Sequence, residues 1–149
     1  MTYVQYYENL VNYSGRERPL LHVRLLVGQR SFETIALVDS GSPFTIFDEQ
    51  IPLVLGINVD NLPLSPPLSG IGGTPRRYPV QRGAIEVIAS APDRTRTNRV
   101  IVGPFLADMV FYPGLRNGLA GATGILGTRD FFTAFPIGFN YQQGLLYLG

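Results

Sequence analysis

The stretch from Leu20 to Val38 constrains the fold more than any other, because two strand-forming runs flank the punctuation Gly28-Gln29-Arg30. In the first run Leu21, Val23, Leu25 and Val27 alternate with His22 and Arg24. Side chains of a strand point to opposite faces in turn, so a period of two buries one face and exposes the other. A glycine-led break between two such runs predicts a hairpin with strands over residues 20–27 and 32–38. The second strand runs directly into Asp39-Ser40-Gly41-Ser42.

Downstream, residues 44–47 form another apolar run, while Pro52 and Gly56 predict irregular structure over residues 48–60. Pro63, Pro66 and Pro67 restrict residues 62–68 to an extended loop or an edge strand, since proline cannot donate to a ladder. That segment leads to a glycine-rich tip, Gly70-Ile71-Gly72-Gly73, after which strand character resumes over residues 78–89 and 99–102. The polar residues 92–98 between them read as a turn. Arg94, Arg96 and Arg99 read as a solvated surface, because no aromatic residue interleaves with them as a nucleic-acid site would need. Gly118, Gly121, Gly124 and Gly127 match neither the dinucleotide nor the phosphate-loop pattern and imply close backbone packing. Residues 128–134 are expected to form a short helix, with Thr128 or Asp130 near its start, and residues 135–139 and 145–148 a closing hairpin.

Composition narrows the class further. Charged residues make up 15% of the 149-residue chain, against 17 glycines and 12 prolines, which favours short strands and many turns over a helical bundle. A net charge of +1 carries no footprint of a nucleic-acid or anionic-membrane partner. All 12 basic residues are arginine, so no lysine is present for a phosphate loop or a Schiff base. With no cysteine and His22 as the single histidine, the chain offers no zinc cluster, no thiol nucleophile and no disulfide, and no metal or cofactor is expected. His22 itself, outward on its strand, reads as structural. Residues 1–10 carry Glu8 and lack the apolar core of a secretory signal, and no apolar run reaches membrane-spanning length. The expectation is a cytoplasmic protein or a soluble domain of a larger one. Residues 1–19, rich in tyrosine (Tyr3, Tyr6, Tyr7, Tyr13), read as an N-terminal extension to a single domain spanning residues 20–149; packing of its rings on that domain is favoured, with packing on a partner and a loose tail as the alternatives.

The chemistry concentrates at Asp39. A carboxylate at the end of an apolar strand is partly desolvated and can accept hydrogen bonds from the amides and hydroxyls of the turn, while Gly41 permits a sharp reversal. An Asp-Ser-Gly triplet by itself is commonly just a turn. Here it is followed, in order, by the Gly70-Ile71-Gly72-Gly73 tip and by Ile125-Leu126-Gly127 ahead of a short helix. With these three features the chain, from residue 20 to 148, resembles the retropepsin-like aspartic proteases.

The resemblance implies an all-β acid-protease barrel with one short C-terminal helix, active as a homodimer on an extended peptide that is apolar around the cut. It implies that Asp39 is catalytic and that Ser40, Gly41 and Ser42 support its turn, Ser40 through a hydroxyl network across the dimer axis and Gly41 along the substrate backbone. Gly70, Ile71, Gly72 and Gly73 would form a flap over the substrate, and Ile125, Leu126 and Gly127 would pack beside the catalytic turn. One departure stands out: retroviral members commonly carry an arginine directly after the late glycine, where this chain has Thr128 and places Arg129 one position later. Asp48, Asp60, Asp93, Asp108 and Asp130 all lack a following hydroxyl-glycine pair, so a second catalytic carboxylate has to come from a second copy. Two carboxyls sharing one proton titrate as a unit, which implies activity at mildly acidic pH. Two other readings are a non-catalytic dimeric peptide-binding module of the same fold and a monomer in which the triplet is only a turn.

Overall fold

The computed structural model describes residues 6–9, 11–13, 16–69, 73–88, 100–117, 119 and 121–149. The chain runs through β1 (Tyr6–Asn9), β2 (Val11–Tyr13), β3 (Arg16–Arg18), β4 (Leu20–Val27), β5 (Arg30–Val38), β6 (Thr45–Asp48) and a single-turn helix α1 (Ile51–Leu55). It continues through β7 (Val80–Ile88), β8 (Val100–Tyr112), β9 (Gly124–Leu126), β10 (Ile137–Asn140) and β11 (Leu145–Leu148). Six of these strands close into a barrel in the order β4-β5-β9-β6-β8-β7.

The hairpin expected from the alternating pattern is present. β4 and β5 pair antiparallel from Leu20 opposite Leu37 to Val27 opposite Arg30, around Gly28 at φ +59°. That left-handed backbone is open to glycine at little steric cost. Leu21, Val23 and Leu25 are buried, whereas His22 and Arg24 lie half-buried on the other face. Arg24 donates there to Glu33 on β5 (3.0 Å) and to Glu86 on β7 (3.3 Å), tying three neighbouring strands from outside. Inside, β4 contributes to a core shared with Phe47, Ile85, Met109, Leu126 and Phe131. Each such side chain, fully buried, stabilises the fold by about 1.5–3 kcal/mol relative to exposure.

Residues 48–60 correct the sequence reading. Pro52 and Gly56 predict irregular structure there, but they bound α1 instead: Pro52 lies in the first turn, where no amide is needed, and Gly56 ends the helix at φ +66° with its N–H on Leu53 O (3.3 Å). A single 3-10 turn, Val59–Asn61, follows, capped by the Asn58 side chain, which accepts from Asp60 N at 3.1 Å. The C-terminal helix is therefore not the one helical element. It begins as a wide π-type turn, Thr128–Phe132, and has no side-chain cap; the Thr128 N–H instead donates to Ser42 O across the chain at 2.8 Å. β8 is also longer than expected, thirteen residues, and lies between β7, to which it is antiparallel, and β6, to which it is parallel.

Within the first nineteen residues, β1 pairs antiparallel with β11 (Tyr6 opposite Leu148, Asn9 opposite Leu145), giving a three-stranded sheet β1-β11-β10 beside the barrel. Leu146 and Leu148 of its middle strand are buried in the core. β2 and β3 make a separate hairpin, and Pro19 O accepts from Val38 N at 2.9 Å just before the Asp39 turn. The two arms around the glycine-rich tip are bridged at Leu64–Pro79 and Leu68–Arg76. Of the tip itself, Gly70, Ile71 and Gly72 lie outside the described residues, and Gly73 is exposed. The turn at residues 92–98, with Arg94 and Arg96, also lies outside them, as do Arg99 and Gly118. Among the described residues no helix is long and apolar enough to cross a membrane.

Candidate active site

β5 carries its buried residues Ala36 and Val38 up to the barrel rim, and Asp39 is the first residue beyond it. What fixes the rim is β9, three residues long, inserted between β5 and β6. It runs parallel to β5 (Ala36 opposite Gly124, Val38 opposite Leu126) and antiparallel to β6 (Ile46 opposite Ile125, Phe47 opposite Gly124). Only glycine fits at position 124, since a Cβ there would overlap the Phe47 ring. The ladder then extends past β5: the Asp39 N–H donates to Leu126 O at 3.1 Å.

The turn folds back on the carboxylate. Gly41 N–H donates to Asp39 Oδ1 at 2.8 Å and Ser42 N–H to Asp39 O at 3.2 Å. A Cβ on Gly41 would lie 3.1 Å from that same Oδ1, so a larger residue there would press on the carboxylate. Asp39 is half-buried, and its Oδ2 has no protein donor among the described residues. Ser40 is exposed in the single chain, while the Ser42 hydroxyl donates to Phe44 O at 2.7 Å.

Beyond the turn, residues 42–45 and 127–130 are laced together. Thr128 N–H donates to Ser42 O (2.8 Å) and Arg129 N–H to Pro43 O (3.1 Å). A Cβ on Gly127 would collide with Phe44 O and lie 2.8 Å from Ser42 O, so the late glycine lets two backbones touch beside the Asp39 turn. Leu126 is fully buried and Ile125 half-buried next to it. Arg129, the displaced arginine, is exposed and sets its guanidinium 4.5 Å above the Phe44 ring of its own chain. A cleft of about 400 Å³ opens alongside, lined by Phe44, Leu64, Val80, Val110, Arg129 and Asp130 among others.

Two residues at this seam escaped the sequence reading. Thr45 is fully buried, and its hydroxyl accepts from Gly127 N at 3.2 Å. Its signal was a single hydroxyl inside the apolar run 44–47, because a buried polar group needs a partner. Asp130, which lacks a hydroxyl-glycine pair, has its carboxyl raised above the usual range. Burial is the main cause; the long bond from Asp108 N (3.5 Å), the Thr45 hydroxyl and the Arg82 charge oppose it, and the Asp108 charge adds to it. Among the described residues no group of His, Asp or Glu side chains could hold a metal ion.

One chain thus presents one oriented carboxylate at the mouth of a closed barrel. No family model matches the chain, and no curated protein matches it in sequence. Among solved structures it is similar to a retropepsin-like aspartic protease from Rickettsia conorii, with 14% identity and a TM-score of 0.50 over 99% of this chain and 96% of that one. The closed barrel, its mostly β content and its few short helices accordingly make a retropepsin-like fold.

Proposed function

We propose that the chain is half of an aspartic endopeptidase, in which two copies bring their Asp39 carboxylates together around one water molecule. The observation that carries this reading is the state of Asp39 itself: one oxygen held by the Gly41 amide, the backbone anchored on Leu126 O, and the other oxygen without a donor among the described residues. A carboxylate so oriented can work on a water without first reorganising. In the dimer one carboxylate takes a proton from the water as its oxygen attacks the scissile carbonyl carbon, and the protonated partner gives its proton to the carbonyl oxygen. Collapse of the tetrahedral diol breaks the C–N bond as the amide nitrogen takes up a proton.

The bridged arms at Leu64–Pro79 and Leu68–Arg76 support a flap role for residues 70–73, since a paired stem carries a tip over a cleft and an extended peptide can add to it as a strand. Ser40, exposed in the single chain, is the side chain that a second copy would cover.

The test is cleavage of a diverse peptide library between pH 4 and 7 by the full chain and by Asp39→Asn, read by mass spectrometry, with sedimentation establishing mass and fold. Cleavage lost in a folded, dimeric variant supports the reading and gives the substrate preference. Equal cleavage by both proteins overturns it, as does a wild-type protein that stays monomeric at every concentration at which it cuts.

A further inference from the structure

We propose that Ser65 is a positioning residue for peptide binding: its buried hydroxyl pins a β-bulge in the hairpin stem of residues 62–80 and so sets the register in which the two arms run over the cleft. The inference rests on the reading of this hairpin as a substrate-covering element, and it assigns work to a side chain that touches no reacting atom.

At the base of the stem the pairing is regular. Val80 N–H donates to Pro63 O at 2.9 Å, Leu64 stands opposite Pro79, and Ser65 N–H donates to Tyr78 O at 2.7 Å. Continued in that register, the next hydrogen-bonded rung would join Pro67 to Arg76. Proline has no N–H, so that rung could make one bond instead of two. The rung forms instead at Leu68, whose N–H donates to Arg76 O at 2.8 Å and whose carbonyl accepts from Arg76 N–H at 2.9 Å. The first arm therefore takes three steps, from Ser65 to Leu68, where the second takes two, from Tyr78 to Arg76. That is a bulge at Pro66-Pro67.

Ser65 holds the bulge in place. Its side chain is buried, and its hydroxyl accepts from Tyr78 N–H at 3.0 Å while donating to Pro66 O at 2.7 Å, so it satisfies one backbone group on each arm at the register change. The second arm is itself fastened to the barrel: Pro79 O accepts from Phe111 N–H at 3.0 Å, and the Tyr78 ring centre lies 4.8 Å from that of Tyr112 at the end of β8. Through Ser65 the first arm takes its place from this fastened arm, and Pro63, Leu64, Ser65 and Pro66 together form one wall of the cleft. A slip of one residue beyond the bulge would turn every later side chain of the arm to the opposite face. The pin thus decides which side chains the arm shows to a peptide in the cleft.

The test compares the full chain with its Ser65→Ala variant on one peptide that the parent cleaves. A stem that has lost its register weakens contact with the peptide in the ground state and the transition state alike. Ser65→Ala is therefore expected to raise KM about tenfold, the scale of one lost buried hydrogen bond, with kcat per folded dimer within about twofold. Ser65→Cys, close in size but weak as donor and acceptor, should behave as Ser65→Ala does, and it decides the same point if Ser65→Ala fails to fold. Parental KM in a folded variant, or a loss confined to kcat, would overturn the proposal. Amide exchange separates it from the protease reading, since it needs no turnover. In an Asp39→Asn background, the Leu68, Arg76 and Tyr78 amides should exchange about tenfold faster once Ser65 is replaced by alanine, while the Phe111 amide at the barrel keeps its rate. Unchanged protection of Tyr78 overturns the pin even if the chain proves to be a protease. Faster exchange confined to the stem upholds the pin even if the parent cuts nothing, an outcome in which it is the protease reading that fails.

Discussion

Asp39 and Asp48 each end an apolar strand beside β9, and each accepts a bond from the amide two residues on: Gly41 N to Asp39 at 2.8 Å, Gln50 N to Asp48 at 3.1 Å. Locally they are the same Asx-type turn. Their surroundings make them opposites. Asp48 is buried and fully occupied, receiving the Arg116 amide at 3.0 Å and the Arg116 guanidinium at 2.8 Å in addition to Gln50. Burial by itself would raise its carboxyl, but the amides of Arg116 and Gln50 and the Arg116 charge outweigh it and hold the group below the usual range. Asp39, half-buried, keeps one oxygen without a donor among the described residues. The difference teaches that a strand-end carboxylate becomes a fastener or keeps an oxygen without a partner according to whether another segment of the described chain comes to cover it.

The comparison breaks most visibly if the two aspartates are exchanged for uncharged residues. Asp39→Asn is expected to lower peptide cleavage about 10³-fold, in the range of a lost general acid–base group, while moving the unfolding free energy by less than about 0.5 kcal/mol. Asp48→Ala should do the reverse, removing about 3 kcal/mol in denaturant melts because it strands a partly buried guanidinium and two amides, with kcat per folded dimer within about twofold of the parent. A fall in stability for the first or a fall in kcat for the second would erase the distinction.

Acid melts sharpen it. Because the folded carboxyl of Asp48 lies below its unfolded value of about 3.9, its contribution is complete above that pH and is lost as pH falls through the depressed folded value. The parent should lose up to about 1.4 kcal/mol per pH unit from this one proton, and Asp48→Asn should show a shallower acid limb. The smallest effect concerns the glycine beside the open carboxylate. Gly41→Ala, whose Cβ would sit 3.1 Å from Asp39 Oδ1, should tilt the carboxylate and lower kcat about fivefold, roughly 1 kcal/mol, with little change in the melting midpoint.

Much of the barrel was legible because its signals are local. The alternation around Val23 and Leu25 and the glycine at position 28 define the first hairpin, since a period of two and a positive φ act within a few residues. Pro52 and Gly56 misled for the opposite reason: both break a helix when internal, and only the fold shows that they stand at its two ends. Thr45 was overlooked because its partner is an amide more than eighty residues away in sequence. The β1–β11 pairing was equally hidden, because it joins the two ends of the chain and no local pattern specifies a strand's partner.

The sequence by itself determined that the chain is built from short strands, that a carboxylate ends one of them, and that glycine stands wherever backbone or carboxylate comes close, as at positions 41, 124 and 127. These follow from backbone sterics and hydrophobic periodicity, which each residue carries with it. Only the tertiary structure decided which aspartate stays open. Asp39 and Asp48 fold the same local turn, and the choice was made by the loop that delivers Arg116 to one of them and by the seam of residues 126–130 that anchors the other, whose second oxygen receives no donor among the described residues. Occupancy of a carboxylate is a property of what packs against it, and packing joins residues that the chain keeps far apart.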